Sequence, residues 1–120
     1  MEYLRIKKNT DFQKIFAKGK RGFANKLTVL YFPSKELKMG ICVGKKLGNS
    51  VTRNRVKRLM REIFRKNIPM VKREYNYVLI PKAAEEYDYK TLEQNFLYIL
   101  KKQDLLLKPQ KKAEEKQERE

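Results

Sequence analysis

The chain has no histidine, no tryptophan and a single cysteine among its 120 residues. Each lack removes a class of chemistry. Without histidine there is no imidazole to serve as general base and no histidine to ligate a metal. One cysteine, Cys42, allows no internal disulfide and no multi-cysteine zinc site, which fits a reducing cytoplasm. It lies in the apolar run Met39-Gly-Ile-Cys-Val43 and reads as a buried thiol. No apolar run approaches membrane-spanning length. The N-terminus is charged from Glu2 and lacks the apolar core of a signal peptide. Acid is scarce as well: 14 Asp and Glu stand against 30 Lys and Arg, a formal net charge of +16. Glu85, Glu86 and Asp88 form the one acidic cluster, and it reads as a solvated loop that repels polyanions. Gly40 and Gly44 flank a strand without the spacing of a phosphate-binding loop. An active site made of protein side chains is therefore not expected.

What is present is positive charge, and it is concentrated. The stretch G-K-K-L-G-N-S-V-T-R-N-R-V-K-R-L-M-R-E-I-F-R-K, from Gly44 to Lys66, holds nine basic residues against one acid, Glu62. That net of +8 is half of the chain's total. Val56, Leu59, Met60 and Ile63 recur at i, i+3, i+4 and i+7, the spacing of one buried helical stripe. Asn54, Lys57, Arg58, Arg61 and Arg65 fall opposite that stripe, and Arg55 flanks it. Asn49 or Ser50 serves as N-cap. Lys45 and Lys46 before it, with Arg53 in the first turn, make an anion-binding corner at a helix N-terminus. The partner such a surface suits is a polyphosphate.

The remaining elements frame this helix. Residues 1–8 read as extended. A short helix runs from Asp11, capped by Asn9 or Thr10, to a stop at Gly19. Its Phe12, Ile15 and Phe16 share one face, either as core or with a ring turned to a groove. Gly19 to Gly22 reads as a basic turn. Leu27–Phe32 and Met39–Gly44 read as two strands of an antiparallel hairpin. If Tyr31 shares a face with Val29, alternation places Leu30 and Phe32 on the other. Asn76–Pro81 is a third strong strand, so strand, basic helix and strand form a βαβ crossover. Thr91–Lys102 reads as a last helix with Leu92, Phe96, Ile99 and Leu100 inward. One domain is expected over 1–107, followed by a charged, disordered tail over 108–120.

Arginine and lysine supply salt-dependent phosphate contacts, and exposed aromatics stack unpaired bases. Phe12, Phe16 and Tyr31 are the candidates for stacking. DNA reading by a helix-turn-helix is disfavoured, because strands flank the basic helix. Docking to a membrane surface is disfavoured by the narrow apolar stripe and the lack of tryptophan.

At G-K-K-L-G-N-S-V-T-R-N-R-V-K-R-L-M-R-E the sequence resembles the bacterial ribonuclease P protein subunit family, whose pattern is K-K-x-G-N-A/S-V-x-R-N-R-x-K-R-x-x-R. The resemblance runs from about Leu4 to Lys102, taking in N-T-D-F-Q-K-I-F, V-L-Y-F and Y-N-Y-V-L-I-P-K. It implies an α+β two-layer sandwich, α-β-β-β-α-β-α, with a left-handed βαβ crossover where the general rule gives a right-handed one. It implies removal of the 5′ leader from precursor tRNA, with catalysis by a large RNA subunit and its Mg²⁺. The implied docking face for that RNA is Lys45, Lys46, Asn49, Arg53, Asn54, Arg55, Lys57, Arg58 and Arg61. The implied leader cleft holds Phe12, Phe16 and Tyr31. Lys82 stands where the family usually carries arginine, keeping the charge without the bidentate fork. A ribosomal or assembly protein that binds RNA without hydrolysis is the alternative function. A protein-only nuclease using the Glu85 cluster is the enzymatic rival.

Overall fold

The computed structural model describes residues 3–107; the tail expected over 108–120 lies outside them. Five strands and three α-helices follow in the order β1 (Leu4–Arg5), α1 (Asn9–Lys18), β2 (Lys20–Phe23), β3 (Leu27–Pro33), β4 (Lys38–Ile41), α2 (Ser50–Asn67), β5 (Tyr75–Pro81) and α3 (Tyr89–Lys102). The strands form one sheet in the order β1-β4-β5-β3-β2.

That order corrects the hairpin expected for β3 and β4. The two run in opposite directions but do not pair: β5 lies between them, antiparallel to β3 and parallel to β4. The physical reason is burial. Tyr77, Val78 and Leu79 of β5 are fully buried, with side chains on both faces, as suits a central strand. The real hairpin is β2–β3, so the expected basic turn over Gly19 to Gly22 is largely an edge strand. Its Lys20 and Arg21 are exposed charges of the kind that discourage edge-to-edge pairing. The α1 helix starts at Asn9, earlier than expected, and Lys8 precedes it without a side-chain cap. Residue 19, where the helix stops, has no room for a side chain: a Cβ there would sit 2.5 Å from the Ile15 carbonyl oxygen.

The α+β class stands as expected. The α2 and α3 helices pack on one face of the sheet, and α1 lies across part of the other. The α2 stripe is Val56, Met60, Ile63 and Phe64, with Leu59 half-buried. Phe64 touches the rings of Tyr77 on β5 and Phe96 on α3, with centroids 5.9 and 6.0 Å away. Burying such a ring contributes roughly 1.5–3 kcal/mol. Asn67 ends the stripe as a buried polar group, donating from Nδ2 to the Ile63 carbonyl (2.8 Å) and to Glu93 (3.0 Å). Lys66 pairs with the same Glu93 at 3.3 Å, which ties the end of α2 to α3. The four residues expected inward on α3 are all buried.

Candidate nucleic-acid interface

The basic corner begins in a single 3₁₀ turn, Lys45–Leu47, anchored by buried Leu47. Gly48 follows at φ 127°, a conformation open to glycine and strained for other residues. Asn49 then caps α2, its Oδ1 accepting from the Thr52 N–H at 3.0 Å. Lys45, Lys46, Asn49, Asn54, Arg55 and Arg58 are exposed, whereas Arg53, Lys57 and Arg61 are half-buried. Of the half-buried three, Lys57 and Arg61 reach the sheet edge. β1 pairs only with Lys38 and Met39, so the rest of β4's outer edge is left without a neighbouring strand. Arg61 lines a small hollow at that edge with Tyr3, Arg5 and Gly40. Lys57 lines a larger cleft on the opposite side of the sheet edge.

This cleft follows from strand register. Side chains on the α1 face form rows across the sheet. Gly40, Val78, Leu30 and Arg21 are in register as one row. Beside it, Ile80, Thr28 and Phe23 form another. Cys42 extends this second row, since its N–H donates to the Leu79 carbonyl at 3.0 Å. The α1 helix lies on the first row: Ile15 packs with Leu30 and Val78, and Phe12 covers Gly40. Arg21 Nη2 donates to the Phe16 carbonyl at 3.1 Å. Of the second row, Cys42 lines the space left beside the helix, whereas Thr28 is buried. Phe12 and Phe16, stacked with centroids 6.5 Å apart at 25°, wall a cleft of about 470 Å³ lined also by Gln13, Cys42, Gly44 and Lys57. Burial pushes the Cys42 thiol upward, so it is a neutral lining group and not a thiolate.

The structure therefore joins Phe12 and Phe16 to Lys57, a residue expected only on the RNA-docking face. It also places Lys82 on the same side of the sheet, two residues beyond Ile80 and with Nζ 5.8 Å from the Phe23 ring centre. Tyr31 does not join them. It follows Leu27 and Val29 onto the α2–α3 face, is only 6% exposed, and donates its hydroxyl to Gln103 Oε1. Burial raises its pKa, with neighbouring Tyr75 adding to the effect. Phe32, the next residue, is the β3 aromatic on the α1 face, and Lys14 lies 5.3 Å from its ring centre. Sequence reasoning missed Phe32, although alternation from a buried Val29 assigns it that face.

One member of the acidic cluster is structural. Asp88 caps α3, and hydrogen bonds from Thr91 hold its carboxyl below the usual range. Glu85 and Glu86 are exposed. Among the described residues, no three Asp, Glu, Cys or His side chains are grouped to hold a metal ion. No helix of the described residues is long and apolar enough to cross a membrane.

A cationic helix beside an aromatic-walled cleft, without a grouping of catalytic carboxylates among the described residues, makes this an α+β domain with a surface suited to a polyanion. The chain belongs to the ribonuclease P protein family: the family model described as Ribonuclease P matches residues 2–104. It is 57% identical over 65 residues to a ribonuclease P protein component from Staphylococcus carnosus, covering 51% of this chain and 56% of that relative. The match to a protein of the same description from Alkaliphilus metalliredigens is 48% over 66 residues, covering 52% and 59%. The chain thus spans somewhat over half the length of these curated relatives. Whole-fold likeness reaches further. The RNase P protein of Staphylococcus aureus superposes with a TM-score of 0.78 at 29% identity, covering 88% of this chain and 100% of that one. That of Thermotoga maritima superposes with a TM-score of 0.74 at 31% identity, covering 82% and 96%.

Proposed function

We propose that this chain is the protein subunit of ribonuclease P, the ribonucleoprotein endonuclease that removes the 5′ leader from precursor tRNA. The observation that carries the reading is the cleft in which Phe12, Phe16 and Lys57 meet beside the basic face of α2. Stacked rings and a cation suit an unpaired strand, since every base offers a π-face and every linkage a charge. The outer face, with Lys45, Lys46, Asn49, Asn54, Arg55 and Arg58 exposed, docks the catalytic RNA through its phosphates. Half-buried Arg53 and Arg61 support the same contact, Arg61 from the sheet edge. Lys82 attracts the leader at the far end of the floor row.

Hydrolysis falls to the RNA subunit, which holds the Mg²⁺. The protein tightens and broadens recognition of precursor tRNA by gripping the leader. It also screens phosphate repulsion, so that the RNA keeps its active form. The assay that tests this adds the protein to a bacterial ribonuclease P RNA and precursor tRNA at low Mg²⁺ and moderate salt. The expected outcome is faster leader removal than with RNA alone. An unchanged rate refutes the proposal, and cleavage by the protein without RNA replaces it with a protein-borne nuclease.

A further inference from the structure

Phe23 and Tyr98 are the most exposed aromatic rings among the described residues, at 60% and 54%. They are far apart in sequence, yet they line one hollow of about 440 Å³ with Ala24, Asn25, Gln94 and Asn95. Two exposed rings that line one concave surface point to a ligand.

The hollow is held open by its own framework. Asn95 Oδ1 accepts from the Lys26 N–H at 2.7 Å, while its Nδ2 donates to the Thr91 carbonyl at 2.9 Å. This fixes the β2–β3 turn against α3 and engages both ends of the Asn95 amide. Asn25 and Gln94 are exposed, and their amides have no hydrogen-bond partner among the described residues. An aromatic pair with two free amides matches an unpaired nucleobase, which offers a face for stacking and an edge of donors and acceptors. The surroundings are cationic: Lys82 approaches the Phe23 ring, and exposed Lys101 and Lys102 stand one helical turn beyond Tyr98. Asp88, near Lys26, is the opposing charge.

Position relates one wall of the hollow, Phe23, to the leader cleft, while Tyr98 belongs to α3 on the other side of the sheet. Phe23 ends the floor row of Ile80 and Thr28 that begins at Cys42 beneath the wall of α1. Three strand spacings separate Cys42 from Phe23, about 14 Å. We propose that the Phe23–Tyr98 hollow is a second stacking station for the single-stranded leader, taking one base of the part that runs past the cleft. The proposal rests on the leader-cleft reading above.

The test uses holoenzyme assembled with ribonuclease P RNA, and precursor tRNAs whose leaders are trimmed one nucleotide at a time. Phe23→Ala and Tyr98→Ala are each expected to weaken binding of long-leader precursor about tenfold, the worth of one stacked base. They should leave the shortest leaders and mature tRNA unaffected. Tyr98→Phe keeps the stacking face and is expected to retain wild-type affinity. Phe16→Ala is the control, losing affinity at shorter leader lengths because it lies in the cleft itself. Equal losses on short and long leaders, or no loss on either, overturn the second station while leaving the cleft intact. So does a self-association that Tyr98→Ala abolishes without any effect on leader binding, since the occupant is then a second copy of the chain. If Phe16→Ala has no leader-dependent effect, the cleft reading itself fails, and with it the continuity that places the second station.

Discussion

Phe12 rests on Gly40 so closely that a Cβ at residue 40 would lie 2.6 Å from Cε1 of the ring and 2.7 Å from Cζ. The cleft wall is therefore set by a missing side chain in the strand beneath it. Ile6 Cβ, 3.2 Å from the same point, closes one direction of retreat. Gly40→Ala must push the Phe12 ring off its seat, and we expect a cost of about 1–3 kcal/mol in urea unfolding, as for overpacking generally. Leader affinity should fall as well, because the displaced ring no longer stacks parallel to Phe16. An unchanged unfolding midpoint would show that the ring moves freely and does not rest on the sheet.

Lys57 and Arg58 are adjacent on α2 yet face different surroundings, since Lys57 lines the cleft and Arg58 is exposed on the outer face. Lys57→Ala is expected to weaken precursor tRNA more than mature tRNA. Arg58→Ala should weaken binding to the catalytic RNA regardless of any leader, lowering the salt slope by about one phosphate contact. Titrations of both variants across ionic strength separate the two roles. Identical profiles would dissolve the distinction between cleft and docking face.

That distinction was only partly available from the sequence. A helical wheel puts Arg58 opposite the Val56–Met60–Ile63 stripe and Lys57 at its flank, next to Phe64. It does not show that β4 ends in an open edge around which Lys57 reaches. Both long helices were legible because amphipathic spacing is local: one buried face fixes the period. Strand partners were not, because pairing is a contest between distant segments. The run Tyr77-Val-Leu79 carried a signal for the centre of the sheet, being apolar without alternation. The edge strand β2 was hidden by the charges that protect it, Lys20 and Arg21. Among the cleft residues, Phe12 and Phe16 were legible from their helical spacing, whereas Tyr31 depended on which face β3 turned inward.

Tyr31→Phe tests that last point. The Tyr31 hydroxyl is bonded to Gln103 and its ring meets Tyr75 edge-on at 5.6 Å. Removing the hydroxyl should cost about 1 kcal/mol of stability, the net worth of one hydrogen bond. Precursor affinity should be unchanged, in contrast to Phe16→Ala. A loss of leader binding comparable to that of Phe16→Ala would return Tyr31 to the cleft.

Tyr77 gives the alkaline limit of stability. Its ring is fully buried beneath Phe64, and its hydroxyl donates to the Lys72 carbonyl at 2.7 Å. Burial pushes its pKa well above the ordinary tyrosine value, with Tyr75, Glu74 and Tyr31 adding to the rise. The folded state thus favours the neutral phenol. Its contribution is complete below the unfolded pKa of about 10 and is lost as pH rises above that value. Comparison with Tyr77→Phe isolates the phenol, because every other group is common to both chains. At neutral pH the variant should be less stable by about 1 kcal/mol, for the lost hydrogen bond. Between about pH 9 and 11 the gap should narrow, since only the wild type must keep a phenol protonated. Urea unfolding of both chains across that range is the measurement. A constant gap would mean that the Tyr77 phenol ionises in the folded chain as readily as in the unfolded one.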